Sequence, residues 1–131
     1  MKPIHIESIS YVHQRYETLG DYYDDEKGTQ IKVTDMGAED YEFLIALHEM
    51  VEQYLCKNRG IREEDITKFD KMFEAERDAE KWTTEEPGDD PRAPYKKEHF
   101  FSTNIERLMA EQLGVNWQIY EKFCQEYETR Y

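Results

Sequence analysis

Only two cysteines, Cys56 and Cys124, occur in the 131 residues. They form no CxxC pair and no disulfide framework. The plain reading is two reduced thiols in a cytoplasmic protein. Long apolar runs are missing as well. The longest, Phe43 to Leu47, is far too short to span a bilayer. The N-terminal stretch Met1-Lys2-Pro3-Ile4-His5 has no apolar h-region, so no signal peptide is expected. Positive charge is scarce: 17 Lys and Arg stand against 30 Asp and Glu, a formal net charge of −13. Such a surface repels phosphate, so neither nucleic acid nor an anionic membrane is an expected partner. The chain contains no GxGxxG, GxxxxGK[ST] or GxSxG. That removes the dinucleotide, P-loop and serine-hydrolase signatures.

What is present argues for a folded chain. Ten Tyr, six Phe and two Trp are far more aromatics than a disordered segment carries. The length suits one domain over 1–131 with its own core. The expected class is α+β: a short N-terminal antiparallel β-hairpin or sheet over 1–36, packed on about four helices over 38–131. Ile4, Ile6 and Ile9 suggest a half-buried strand. The turn chemistry of Asp24-Asp25-Glu26-Lys27-Gly28 predicts a hairpin pairing Asp21–Asp24 with Thr29–Thr34.

A first helix is expected from Ala38 to Asn58. Glu39, Asp40 and Glu42 suit its N-terminal dipole and Gly60 ends it. On a helical wheel Leu44, Leu47, Val51, Tyr54 and Leu55 share one face, expected to be the core face. Glu42, Ala46, Glu49 and Gln53 share the opposite one, expected to meet solvent. Cys56 is placed on the polar side. A second helix over Glu63 to Lys81 turns Ile66, Phe69, Phe73 and Trp82 inward. Thr83 to Pro94 holds three of the four prolines and one glycine, which predicts a long loop with a role. A third helix runs from Tyr95 to Leu113, its apolar work assigned to Phe100, Ile105, Leu108 and Met109. Asn116 N-caps a fourth through Trp117, Tyr120, Phe123 and Tyr127.

The stretch His48-Glu49-Met50-Val51-Glu52 carries the chemistry. His48 and Glu52 stand one helical turn apart on one side, a spacing that lets two ligands grip one ion. His99 and Glu106, two turns apart on the third helix, repeat the pattern. If the two helices pack side by side, His48, Glu52, His99 and Glu106 converge. Two imidazoles with carboxylates suit Zn, and also Fe or Mn. Asp89 or Asp90 is a further ligand or an orienter of a histidine. The bland alternative is an ion-paired couple with Arg59 or Arg107. His5 and His13 have no partners at ligand spacing and read as surface residues.

A hairpin followed by a helix with HExxE resembles the core of the zincin metallopeptidases, whose signature is HExxH. That resemblance implies His48 as first metal ligand and Glu49 as the glutamate that activates water as general base. Glu52 stands where the family has its second histidine, and His99 or Glu106 fills the place of the third ligand. The chain is also similar to small phage and bacterial proteins with HExxE, a PGD-rich loop and a late Glu-His, here Glu98-His99. That likeness brings no activity with it. Three functions stay open. One is a zinc-dependent hydrolase acting on a peptide or small molecule. Another is an acidic accessory protein that binds a basic protein partner. The last is a magnesium-dependent nucleotide pyrophosphohydrolase using Glu49 and Glu52 as its ExxE. Oligomeric state is open too, because the aromatics suit a dimer face as well as a core.

Overall fold

The computed structural model describes residues 1–80 and 86–130. Strand β1 spans Ile4–Ile9, β2 Gly20–Asp25 and β3 Gly28–Thr34. They form one sheet in the order β1-β3-β2. The hairpin is where turn chemistry placed it: β2 and β3 are antiparallel, with Tyr22 opposite Ile31 and only Glu26 and Lys27 between the strands. The first strand adds something the hairpin pattern does not contain. It pairs with β3 in parallel, Ile6 beside Ile31, so the sheet is mixed. Four α-helices follow among the described residues: α1 Glu39–Asn58, α2 Glu63–Glu80, α3 Lys96–Gln112 and α4 Trp117–Arg130. The class is α+β, strands first and helices after.

The ends of the helices follow from local chemistry. Gly60, at φ 70°, takes the left-handed position after α1. Its N–H donates to Lys57 O, and the N–H of Ile61 donates to Cys56 O, closing the last turn. The Asn116 side chain accepts from the N–H of Ile119 and caps α4. No helix among the described residues is long and apolar enough to cross a membrane.

The core lies between sheet and helices, where Ile31, Val33 and Leu44 are fully buried with Ile66, Phe69 and Phe73 of α2. Trp82, expected inward, falls outside the described residues. Ile6 does not behave as a half-buried strand residue: it is 50% exposed. Within the sheet, helix α1 packs on β2 and β3, which leaves β1 as a poorly covered edge.

Two helix faces differ from the wheel reading. On α1, Ala46, Gln53 and Cys56 are buried, whereas Tyr54 is 52% exposed. Glu42 and Glu49, at matching helical spacing, meet the strand segment: Glu42 accepts from Ser8 and from the N–H of Met36, and Glu49 lies against Gly20. The face expected to be solvated is therefore the one that meets the sheet. A wheel assumes one covered side, while α1 is covered by the sheet on one side and by α3 on another. On α3, Phe100 and Leu108 are 68% and 62% exposed, while His99, Ser102, Glu106 and Ala110 are buried. That polar stripe faces inward because α1 offers it hydrogen-bonding partners.

Candidate metal centre

Helix α1 supplies His48 and Glu52, and α3 supplies His99 and Glu106. All four are buried. His48 Nε2 lies 3.0 Å from Glu52 Oε2 and 3.1 Å from His99 Nδ1, and His99 Nδ1 lies 2.9 Å from the same Glu52 oxygen. These three atoms form a nearly equilateral triangle. The outer nitrogen of each imidazole is engaged elsewhere. His48 Nδ1 meets Glu106 Oε1 at 2.8 Å. His99 Nε2 meets Glu86 at 3.1 Å and Asp89 at 3.4 Å. The sequence expectation that distant helices would bring these groups to one point holds for His48, Glu52 and His99. Glu106 stands one step further out, behind His48.

The remaining oxygens have partners of their own. The Tyr22 hydroxyl donates to Glu52 Oε1 at 2.9 Å, and Tyr120 donates to Glu106 Oε2 at 2.5 Å. Gly88, in a single 3-10 turn over Pro87–Asp89, lies directly against the His99 ring. Neither arginine proposed as a bland partner reaches the cluster. Arg59 pairs with Glu98 at 2.6 Å, and Arg107 lies over the Trp117 ring. His5 and His13 are exposed, as expected.

Charges in this cluster are strongly coupled. Burial alone would raise the Glu52 carboxyl, but the hydrogen bonds and charges of His48 and His99 outweigh it and hold Glu52 ionised. Burial would lower both histidines. Glu106 and Glu52 overcome that for His48, and Asp89, Glu52 and Glu86 for His99, so both are raised. Now consider where protons can go while Glu52 is ionised. A proton on His48 Nε2 serves two sides of the triangle and leaves His99 Nδ1 facing Glu52, acceptor against acceptor. A proton on His99 Nδ1 leaves the same conflict between His48 and Glu52. Protons on both let each ring donate to the same Glu52 oxygen, which makes an ion-pair network and leaves the two nitrogens 3.1 Å apart with no hydrogen bond between them. Two arrangements therefore join the three atoms: two protonated rings donating to Glu52, or one cation held by all three. Donor atoms about 3 Å apart are also what bonds of about 2.0–2.2 Å to a common ion produce. The outer carboxylates complete the pattern, since metal-binding imidazoles usually donate their other N–H to such a group.

The triad lines a cavity of about 460 Å³ that also receives Glu49, Asp70, Tyr16 and Tyr95. Glu49 has no hydrogen bond or ion pair among the described residues. Burial, and then the charge of Glu52, raise its carboxyl well above the ordinary range. Asp70 was not singled out from the sequence. It accepts from the Tyr16 hydroxyl at 3.0 Å and from Tyr95, and it has no cationic partner among the described residues. Nothing in the local sequence marks it, because its partners come from a loop before β2 and from the start of α3. Tyr95, one helical turn before His99, also lines the cavity.

Asp70 gives the metal-free protein a pH dependence. Burial pushes its carboxyl up to about 7, against the opposing hydrogen bonds of Tyr95 and Tyr16. A raised folded-state value means that the folded form holds this proton where the unfolded chain has lost it. The stabilisation is complete below about pH 4 and is lost as pH rises through 7. Between pH 5.5 and 8 this group should cost about 2 kcal/mol. Urea melts of wild type and Asp70→Asn will show it as a decline with pH that the variant flattens. Parallel curves would refute the assignment.

Comparison with known protein families, with curated proteins and with solved structures finds no match to this chain.

Proposed function

We propose that the protein is a zinc-dependent hydrolase with a zincin-like site, holding its ion through His48, Glu52 and His99. The observation that carries this reading is the triangle of two nitrogens and one oxygen at 2.9–3.1 Å, with the outer nitrogen of each ring backed by carboxylate. Two histidines and one glutamate make a set typical of catalytic zinc, with three protein ligands and room for a fourth group. Iron or manganese suits the same donors. Bound there, the ion supplies Lewis-acid activation of water and of a substrate carbonyl.

The chain's own residues supply the rest. Glu49 follows His48 on α1, lines the same cavity and is committed to no other group. With the charge of the ion offsetting that of Glu52, it would be the base that takes the proton of the attacking water. The cavity wall is rich in carboxylates, among them Glu49, Asp70, Glu74, Glu121 and Glu128. Of its two arginines, Arg77 is engaged by Glu74 and Glu128. That balance disfavours a nucleotide and favours a neutral or basic substrate such as a peptide. It also counts against the pyrophosphohydrolase reading, in which Glu52 would have to leave both histidines.

Metal content of protein purified without a histidine tag tests the proposal. About one zinc per chain is expected. Glu49→Gln should keep the zinc and lose peptide hydrolysis by roughly a hundredfold or more, as removal of a general base does. A metal-free wild type that takes up no zinc on dialysis would return the protein to the reading of an acidic partner-binding module.

A further inference from the structure

We propose that Glu106 is a positioning residue of the metal site, not one of its ligands, and that α4 holds it in place through Tyr120. This rests on the reading of His48, Glu52 and His99 as ligands. It departs from the sequence expectation, which set Glu106 among them.

Both carboxylate oxygens of Glu106 are already spoken for. Oε1 accepts from His48 Nδ1 at 2.8 Å, and Oε2 accepts from the Tyr120 hydroxyl at 2.5 Å. To reach the ion, Glu106 would have to abandon both in a buried place, where an unpaired hydroxyl and an unpaired ring nitrogen are costly. Its present position does something else. An imidazole has two nitrogens, and the one that carries an anchored N–H cannot present a lone pair. By holding the proton on Nδ1, Glu106 turns Nε2 of His48 toward Glu52 and His99. On His99 the arrangement is inverted: Glu86 and Asp89 hold Nε2, and Nδ1 faces inward. The two rings thus offer opposite nitrogens to one point, each fixed from behind by carboxylate.

Tyr120 sets where Glu106 stands. A tyrosine hydroxyl has a single proton, and here it is directed at Glu106. The ring is 2% exposed and is packed by Tyr41 at 4.9 Å and Trp117 at 5.3 Å between centroids. It cannot swing away without opening the core. The link runs from α4 through α3 to α1, so α4 contributes to a site whose ligands lie on two other helices.

The test uses the full chain and cobalt(II) as a probe metal. Glu106→Gln should weaken cobalt binding about 10–100-fold, and Tyr120→Phe about 3–10-fold. At saturation the visible cobalt spectrum should match wild type in both, because the ligands are the same. In metal-free protein the His48 ring N–H should give a slowly exchanging downfield proton resonance. That resonance should move in Tyr120→Phe and vanish in Glu106→Ala. Glu106→Gln keeps the side-chain size and an accepting oxygen, which covers a failure of Glu106→Ala to fold. A cobalt spectrum altered by Glu106→Gln would make Glu106 a ligand and overturn the proposal. So would a His48 resonance indifferent to Glu106→Ala. If wild type binds no cobalt, the hydrolase reading falls, while the resonance still decides whether Tyr120, Glu106 and His48 are linked.

Discussion

A His48→Ala His99→Ala double variant will lose zinc affinity by at least about a thousandfold, and zinc will no longer stabilise it. The size of the effect follows from what remains. Glu52 alone offers one carboxylate, whereas most of the binding free energy of a zinc site comes from several deprotonated donors acting together. In wild type, zinc at a hundred times its dissociation constant adds about 2.7 kcal/mol, which for a chain of this length raises the melting temperature by roughly 10 °C. In the variant the shift should be absent. Glu52 would then keep only the Tyr22 hydroxyl as a donor, and burial would drive it to take up a proton. The variant should therefore remain folded near pH 6 and weaken as the pH rises. Competition with a chromophoric chelator and calorimetry with and without zinc measure both effects. Unchanged zinc affinity would remove the triad from consideration.

Gly88→Ala should disturb the site almost as much, although this residue offers no ligand. A Cβ placed there would lie 2.2 Å from His99 Cγ and 2.4 Å from Nδ1, well inside contact distance with a ring. The ring cannot retreat, because Tyr95 and the Glu52 oxygen bound its other sides. The 86–89 segment must then lift, and its two carboxylates leave His99 Nε2. Overpacking of this kind costs about 1–3 kcal/mol. Losing the carboxylates behind a ligand costs about 10–100-fold in metal affinity. Urea melts and chelator competition on the same preparation separate the two. Wild-type behaviour in both would mean that the turn accommodates the methyl and does not brace the histidine.

Much of the fold could be read before it was seen, and the parts that could not have definite causes. Helix ends were marked by Gly60 and Asn116, and the β2–β3 turn by its acidic and glycine residues. These are local signals. The parallel pairing of β1 with β3 was not marked, because it joins residues 25 positions apart and leaves no sign in the strand's own alternation. The faces of α1 and α3 were misjudged for a related reason. Hydrophobicity alone assigns the Glu42, Glu49 and Gln53 face of α1 to solvent and Phe100 and Leu108 of α3 to the core, whereas the first face meets the sheet and the latter two are exposed. The site was legible where ligand chemistry has a helical spacing and illegible where support is geometric. Tyr22, Tyr120, Glu86 and Gly88 are ordinary residues until a neighbour from a distant segment gives them a task.

The edge strand also shapes how the protein is made. Residues 4–9 leave the ribosome before residues 29–34, the strand they pair with. The β2–β3 pair needs only its own short turn and can close within microseconds. The opening segment must wait, its donors and acceptors unclaimed, and then join a pair already assembled. Pairing of β1 with β3 is thus expected after the β2–β3 hairpin has closed. Slowing translation between those two stretches would lengthen the interval in which that segment is open to strand exchange with another nascent chain.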